Sequence, residues 1–271
     1  SLSDMPRVSV NGTQINFESA GGGPALVLIH PNPFDHTIWR YQTARFSLWF
    51  RVIAMDLRGY GRSERTTDCS IRTMSDDVAH LLDHLGITRA VVVGLSVGGI
   101  IAQEFAVNHP DRLSALIAAG CSASGAGVQE FMDARIEGYS TQELEEYYDA
   151  HLRSLTAPAF PGTRIGAYLL ETFRERGPTL RKEPLVAIYR GIKAWSVAER
   201  LGQVRVPALY IAGEHDPALA TTQAASRLVP GAVFHQIPGA GHACCLEAPD
   251  EFDRLVLDFL RAHGLLPPPN R

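Results

Sequence analysis

The sequence predicts an α/β protein in which a mostly parallel sheet is interrupted by a helical insertion. Three observations carry this. Six short, continuously apolar and β-branched runs recur along the chain, as in strands buried on both faces. Helical periodicities alternate with them. From about residue 125 to residue 195 the strand signal vanishes and only helical patterns remain.

Taken in order, residues 7–10 and 14–18 flank Asn11-Gly12, the two-residue signature of a hairpin, and predict an antiparallel edge. The parallel strands follow at residues 25–30 (ALVLIH), 51–56 (RVIAMD), 90–94 (AVVVG), 113–119 (LSALIAA), 208–212 (ALYIA) and 233–237 (VFHQI). Residues 71–85 read as a helix with Met74, Val78, Leu81, Leu82 and Leu85 on one face. His80 and His84 stand opposite at metal-compatible spacing, but no third ligand is suggested. They read as a solvated face, and no metal is assigned. In the insertion, Ser140 with Glu143 makes a capping-box pattern opening a helix with Leu144, Tyr147, Tyr148 and Leu155 on its apolar side. A second helix over residues 164–176 stops at Gly177-Pro178, and the tail LLPPPNR (265–271) cannot hold one. The organisation is a core in two parts, residues 1–124 and 197–271, around a helical segment at 125–196.

Composition narrows the partners. With 271 residues, 45% hydrophobic and 20% charged, the chain can bury a sizeable core. A net charge of −4 with no basic stripe argues against nucleic acid; Lys182 and Lys193 are the only lysines. The cysteines at 69, 121, 244 and 245 have neither zinc nor disulfide-framework spacing, which fits a reducing cytoplasm. The start, SLSDMPRVSV, lacks the features of a signal peptide, and no apolar run reaches about 18 residues, so no membrane association is expected. The expected partner is a small molecule, bound by a monomer or homodimer.

The chemistry centres on AVVVGLSVGG at residues 90–99. Gly94-Leu95-Ser96-Val97-Gly98 satisfies G-x-S-x-G between a strand and a helix, the context in which that motif exposes a nucleophilic serine. Neighbours without Cβ atoms let the backbone cross closely at such a turn. A serine hydroxyl is a poor nucleophile unless a base takes its proton and a third group orients that base. Residues 208–216 (ALYIAGEHD) supply Asp216, ahead of Glu214 and the more distant Glu247; residues 233–242 (VFHQIPGAGH) supply His242. Ten histidines compete for the base. His30 reads as a stabiliser of its turn, His109 as the end of a helix and His235 as a strand residue, leaving His36 as the rival to His242.

Residues 28–39, LIHPNPFDHTIW, leave a strand through two prolines that bracket one asparagine. Attack on a carbonyl builds an oxyanion that needs aimed N–H donors, each worth about a hundred- to a thousandfold in rate. Val97, after the nucleophile, offers one. Pro31 and Pro33 have no N–H, so only Asn32 donates among residues 31–33. A rigid turn without a catalytic part is the competing reading.

Five stretches give the chain a family resemblance: His30-Pro31-Asn32-Pro33, Asp56-Leu57-Arg58-Gly59-Tyr60-Gly61-Arg62-Ser63, Gly94-Leu95-Ser96-Val97-Gly98-Gly99, Gly213-Glu214-His215-Asp216 and Gly239-Ala240-Gly241-His242. With them the chain resembles the α/β-hydrolases over nearly its whole length. The resemblance implies an eight-stranded, mostly parallel sheet, a helical cap after the sixth strand, no cofactor, and a Ser96, Asp216, His242 triad. Pro31 departs from the family's common His-Gly. The resemblance also prunes subfamilies. Haloalkane dehalogenases and epoxide hydrolases need an aspartate where Ser96 stands, and haloperoxidases a methionine where Val97 stands. Hydroxynitrile lyases place a lysine, and carbon–carbon bond hydrolases commonly a tryptophan, at the position of Ala243. An esterase or lactonase remains as the expected activity; the alternatives are a cofactor-free carbon–carbon hydrolase and a small-molecule receptor. Among the aromatic residues of the insertion, Trp195, Tyr147 and Phe131 are the candidates for lining the substrate pocket.

Overall fold

The structure is a computed structural model that describes residues 7–270; residues 1–6, which include the start of the stretch without signal-peptide features, and Arg271 lie outside the described residues. The Asn11-Gly12 turn joins β1 (Arg7–Val10) to β2 (Thr13–Ala20), with Asn11 and Gly12 both at positive φ, as that turn requires. The apolar runs become β3 (Ala25–Ile29), β4 (Arg51–Met55), β5 (Ala90–Leu95), β6 (Leu113–Ala119), β7 (Ala208–Gly213) and β8 (Val233–Ile237), each within a residue of its predicted bounds. They form one eight-stranded sheet in the order β1-β2-β4-β3-β5-β6-β7-β8. The β1·β2 and β2·β4 pairs are antiparallel and the rest are parallel, so the hairpin is the antiparallel edge.

Strand residues alternate between two cores. Val27, Ile29, Ile53 and Val92 face one layer with α2 (Ile71–His84) and α3 (Val97–Asn108). Leu26, Leu28, Val52 and Val93 face the other, with α1 (Arg40–Phe46) and, past the last strand, the short α9 (Cys244–Glu247) and α10 (Pro249–Ala262). On α2, Met74, Val78, Leu81 and Leu82 are buried and His80 and His84 exposed. Between β6 and β7 the chain is helical: α4 (Gln129–Thr141), α5 (Leu144–Ser154), α6 (Arg164–Arg174) and α7 (Lys182–Lys193). The helix α8 (Leu219–Ser226) joins β7 to β8.

Two local expectations are corrected. Ser140 is no N-cap: it lies inside α4, and α5 opens on Glu143 without a side-chain cap. Capping needs extended backbone at the cap residue, and Ser140 is still helical. The helix predicted over 164–176 ends at Arg174, before a 3₁₀ turn at Gly177–Thr179. Residues 265–270 are non-helical as expected, and Asn270 Nδ2 ties them back by donating to the carbonyls of Gly22 and Ser47 at 3.0 Å each. No helix among the described residues is long and apolar enough to cross a membrane. All four cysteines are buried and unpaired.

One buried ion pair anchors the loop after β4. Arg58 meets Asp77 of α2 through Nε–Oδ2 and Nη2–Oδ1 bonds of 2.7 Å each, with both side chains nearly inaccessible. Without Asp77 the buried guanidinium keeps only the largely exposed Asp68 carboxylate at 3.4 Å and the carbonyls of Asp68 and Asn11. Asp77→Ala is expected to lower unfolding stability by about 3–5 kcal/mol, read as a fall in the urea midpoint at unchanged slope.

Candidate active site

Ser96 stands at the end of β5 with φ 57° and ψ −120°, a conformation few non-glycine residues adopt. The flanking glycines permit it. A Cβ on Gly94 would lie 2.0 Å from the Gly98 carbonyl oxygen, and one on Gly98 would lie 2.1 Å from that of Ile29. The Ser96 amide donates to the Ala119 carbonyl of β6 at 2.8 Å, which pins the turn. Val97, the other predicted member of this turn, is buried as the first residue of α3, whose N-terminus has no side-chain cap. Unpaired amides at a helix start favour negative charge.

Asp216 and His242 come from the loops after β7 and β8. Their side chains meet at 2.8 Å between Oδ1 and Nδ1, and the same Oδ1 accepts the Ala218 amide at 2.8 Å. Gly120, after β6, seats the pair: a Cβ there would come 2.9 Å from Asp216 Oδ2 and 3.2 Å from His242 Nδ1. Burial opposes charging of the imidazole, but the Asp216 carboxylate outweighs it and raises the His242 pKa above its ordinary value. The same pairing, against the effect of burial, lowers that of Asp216. With Nδ1 bonded to the carboxylate, Nε2 is the nitrogen left to exchange a proton.

The rival residues have other partners. Glu214 is exposed and accepts the Gly239 amide at 2.7 Å; Glu247 accepts the Ala157 amide at 2.6 Å and the Gly241 amide at 3.1 Å. His36 Nδ1 is 2.7 Å from Asp56, outside the cavity that Ser96 and His242 line. Asp35, His36 and Asp56 are close enough together to suggest a metal site, but their acceptors are committed. Asp56 takes the His36 and Arg62 amides and Asn16 Nδ2, while Asp35 takes Thr37 and Arg176.

The Pro-Asn-Pro loop is held from beneath by the Asp56–Ser63 segment. His30 Nε2 accepts the Leu57 amide at 3.0 Å, so Nδ1 carries the proton and donates to the Pro31 carbonyl at 2.9 Å. His30 is thus a buried, neutral turn stabiliser, its pKa lowered chiefly by desolvation. Tyr60 donates its hydroxyl to the Asn32 side-chain oxygen. The Asn32–Pro33 peptide is cis. Sequence reasoning assigned Asn32 a role for its backbone alone; the Tyr60 contact was not foreseeable, because the motif spacing carries no sign of which side chain it grips.

Ser96, Asn32, Asp216 and His242 line one cavity of about 690 Å³. Its other wall comes from the helices between β6 and β7, among them Phe131, Met132, Arg135, His151, Tyr189 and Ile192. Of the three aromatic candidates, Phe131 lies on this wall. Trp195 does not: its buried indole N–H donates to Glu104 at 2.8 Å, a partner that a buried tryptophan needs. Tyr147 does not line it either; its ring packs edge-on to Tyr139 at 4.6 Å, and its hydroxyl accepts from Arg135 at 3.3 Å. Arg135 and His151 went unrecognised in the sequence, where each sits on a helix with no motif around it. The arrangement can present a hydroxyl, an imidazole base and buried amide donors to a carbonyl compound of moderate size.

A family model described as alpha/beta hydrolase fold matches residues 24–249. The chain is 30% identical over 263 residues, 91% of either chain, to the 2-hydroxy-6-oxo-6-phenylhexa-2,4-dienoate hydrolase of Comamonas testosteroni. Among solved structures it is similar to the enol-lactonase from Burkholderia xenovorans LB400, with a TM-score of 0.88, 29% identity, and 94% of this chain and 100% of that one covered. It is also similar to a thermophilic esterase from Thermogutta terrifontis, with a TM-score of 0.86, 27% identity, and 95% and 98% covered.

Proposed function

Because the chain belongs to the α/β-hydrolase family, we propose that it is a serine hydrolase cleaving a carboxylic ester or lactone through an acyl-enzyme. One observation carries the reading: Ser96, on its strained turn, shares a cavity with His242, whose Nδ1 is bonded to the buried Asp216. In this reading Ser96 Oγ attacks the carbonyl carbon as His242 Nε2 takes its proton, and Asp216 holds and stabilises the imidazolium. The amides of Val97 and Asn32 receive the oxyanion. Collapse of the tetrahedral intermediate expels the alkoxide, which leaves with the proton from His242. Water, deprotonated by the same imidazole, then attacks the acyl group and frees Ser96. Residues 125–196 serve as the cap over the acyl or alcohol portion, and no cofactor takes part. The four unpaired cysteines favour the cytoplasm.

A fluorophosphonate probe followed by peptide mapping tests the assignment. Stoichiometric labelling of Ser96 with loss of p-nitrophenyl acetate hydrolysis is expected. Continued hydrolysis by protein fully labelled at Ser96 would refute it. The likeness to the Comamonas enzyme favours one second reading, carbon–carbon bond hydrolysis by the same three residues. Ala243 beside His242 counts against it. Faster turnover of a vinylogous diketone than of any ester, followed by loss of its visible absorbance, would select that reading.

A further inference from the structure

The cavity wall opposite the sheet carries a positive charge to which no carboxylate among the described residues is hydrogen-bonded. Arg135 is the one arginine or lysine among the cavity-lining residues. Its Nη1 donates to the Tyr147 hydroxyl at 3.3 Å and its Nη2 to the Ser154 hydroxyl at 3.0 Å, both neutral partners. Of the two acids nearest to it in sequence, Asp133 is paired with Lys193 and Glu137 is exposed. The guanidinium lies 5.1 Å from the centroid of the Phe131 ring, a packing that steadies its plane.

Beside it is a second donor. His151, also on the cavity wall and buried, has Nδ1 2.6 Å from the Tyr139 hydroxyl. That phenol has no other acceptor among the described residues, so it donates to Nδ1 and the imidazole proton sits on Nε2. Burial and the neighbouring Arg135 keep the ring neutral, with its pKa well below the ordinary histidine value. The wall therefore offers a planar cationic fork and an N–H. Glu130, the one acid of α4 among the cavity-lining residues, is solvent-exposed at the rim, where it is screened.

We propose that Arg135 and His151 form a carboxylate-binding subsite, and that the preferred esters or lactones carry a second, free carboxylate away from the scissile carbonyl. The subsite rests on the serine-hydrolase reading above. A carboxylate matches the guanidinium fork in plane and charge and accepts from the imidazole N–H as well. The apolar part of the wall, including Ile100, Met132, Leu155 and Ile192, suits the carbon chain between the two ends.

The test compares p-nitrophenyl esters of straight-chain acids with four to six acyl carbons against mono-p-nitrophenyl esters of the dicarboxylic acids of equal length. The ratio of kcat/KM, charged over neutral, cancels effects common to both. For at least one length the wild-type ratio is expected to be about ten to a hundred, the scale of a charge-assisted hydrogen-bonded pair. Arg135→Gln is expected to cut that ratio about tenfold or more, and Arg135→Lys to keep part of it. A ratio at or below one for every length overturns the subsite, as does a ratio that Arg135→Gln leaves unchanged, the outcome if Arg135 merely staples α4 to α5. Calorimetric titration of Ser96→Ala protein with monomethyl adipate and methyl hexanoate reads the subsite without turnover; equal affinities overturn it. Failure of the underlying hydrolase reading has a different signature, since wild type then turns over neither the charged nor the neutral esters.

Discussion

Ser96→Ala is expected to lower kcat for p-nitrophenyl ester hydrolysis by about a millionfold, or about 8 kcal/mol of barrier, with the fold intact. The magnitude follows from what the hydroxyl does that nothing nearby can replace. Without it no acyl-enzyme forms, and the imidazole, base and later acid in the wild type, has no attacking group positioned against the carbonyl. Removing one member of such a unit costs about as much as removing the whole. The residual rate comes from the amide donors and from binding. Alanine tolerates φ 57° no better than serine, so the strain of the turn is carried over, and the thermal midpoint should stay within a few degrees of wild type. Burst kinetics give the cleaner readout: wild type should release one equivalent of p-nitrophenol ahead of the steady state, and the variant none. Retention of more than about a thousandth of wild-type kcat, well above the residue that oxyanion and binding terms leave, would assign the nucleophile elsewhere.

What could be read from the sequence divides along physical lines. Strands buried on both faces are written as unbroken apolar runs, so β3 to β7 were legible almost to the residue, whereas β8 is an edge strand with only Ile237 buried. The turn at Ser96 was legible because close backbone crossing excludes every residue but glycine at 94 and 98. The helical insertion was less so. Periodicity marks which face of a helix is buried, but it does not say whether that face meets the core or an empty cavity. Trp195 reads as a pocket residue by composition, yet its indole belongs to Glu104, 91 residues away in sequence. Arg135 and His151 carry no such apolar signal and still line the cavity. The Ser140-Glu143 pattern shows the same limit, since a capping motif states which residues suit an N-terminus without stating that a helix begins there. Asp56–Ser63 was recognisable as a motif, but its service to the Asn32 loop through His30, Tyr60 and Asp56 needed three dimensions.

Asp216→Asn is expected to lower kcat by about ten-thousandfold and to move the acidic limb of kcat/KM to lower pH. The two effects have separate causes. Asp216 Oδ1 accepts from His242 Nδ1 at 2.8 Å, which fixes the proton there and leaves Nε2 free to take the one from Ser96. An asparagine amide can donate to Nδ1 instead, so the imidazole proton moves to Nε2 and the base faces the serine in the wrong tautomer. The shift follows from the balance at His242. Burial lowers its pKa, and the carboxylate more than compensates, holding it above the ordinary 6.5. In the wild type kcat/KM therefore falls as pH drops through a value above 6.5, where the imidazole becomes protonated and stops acting as a base. Without the Asp216 carboxylate, burial and the charge of Arg135 are opposed by Glu247 alone, and the residual activity should persist to more acidic pH than in the wild type. A residue that merely held two loops together would reduce the rate without moving the limb. An unshifted acidic limb in Asp216→Asn would therefore separate Asp216 from the imidazole that governs the reaction, leaving Glu247, which also raises the pKa of His242, as the group to test next.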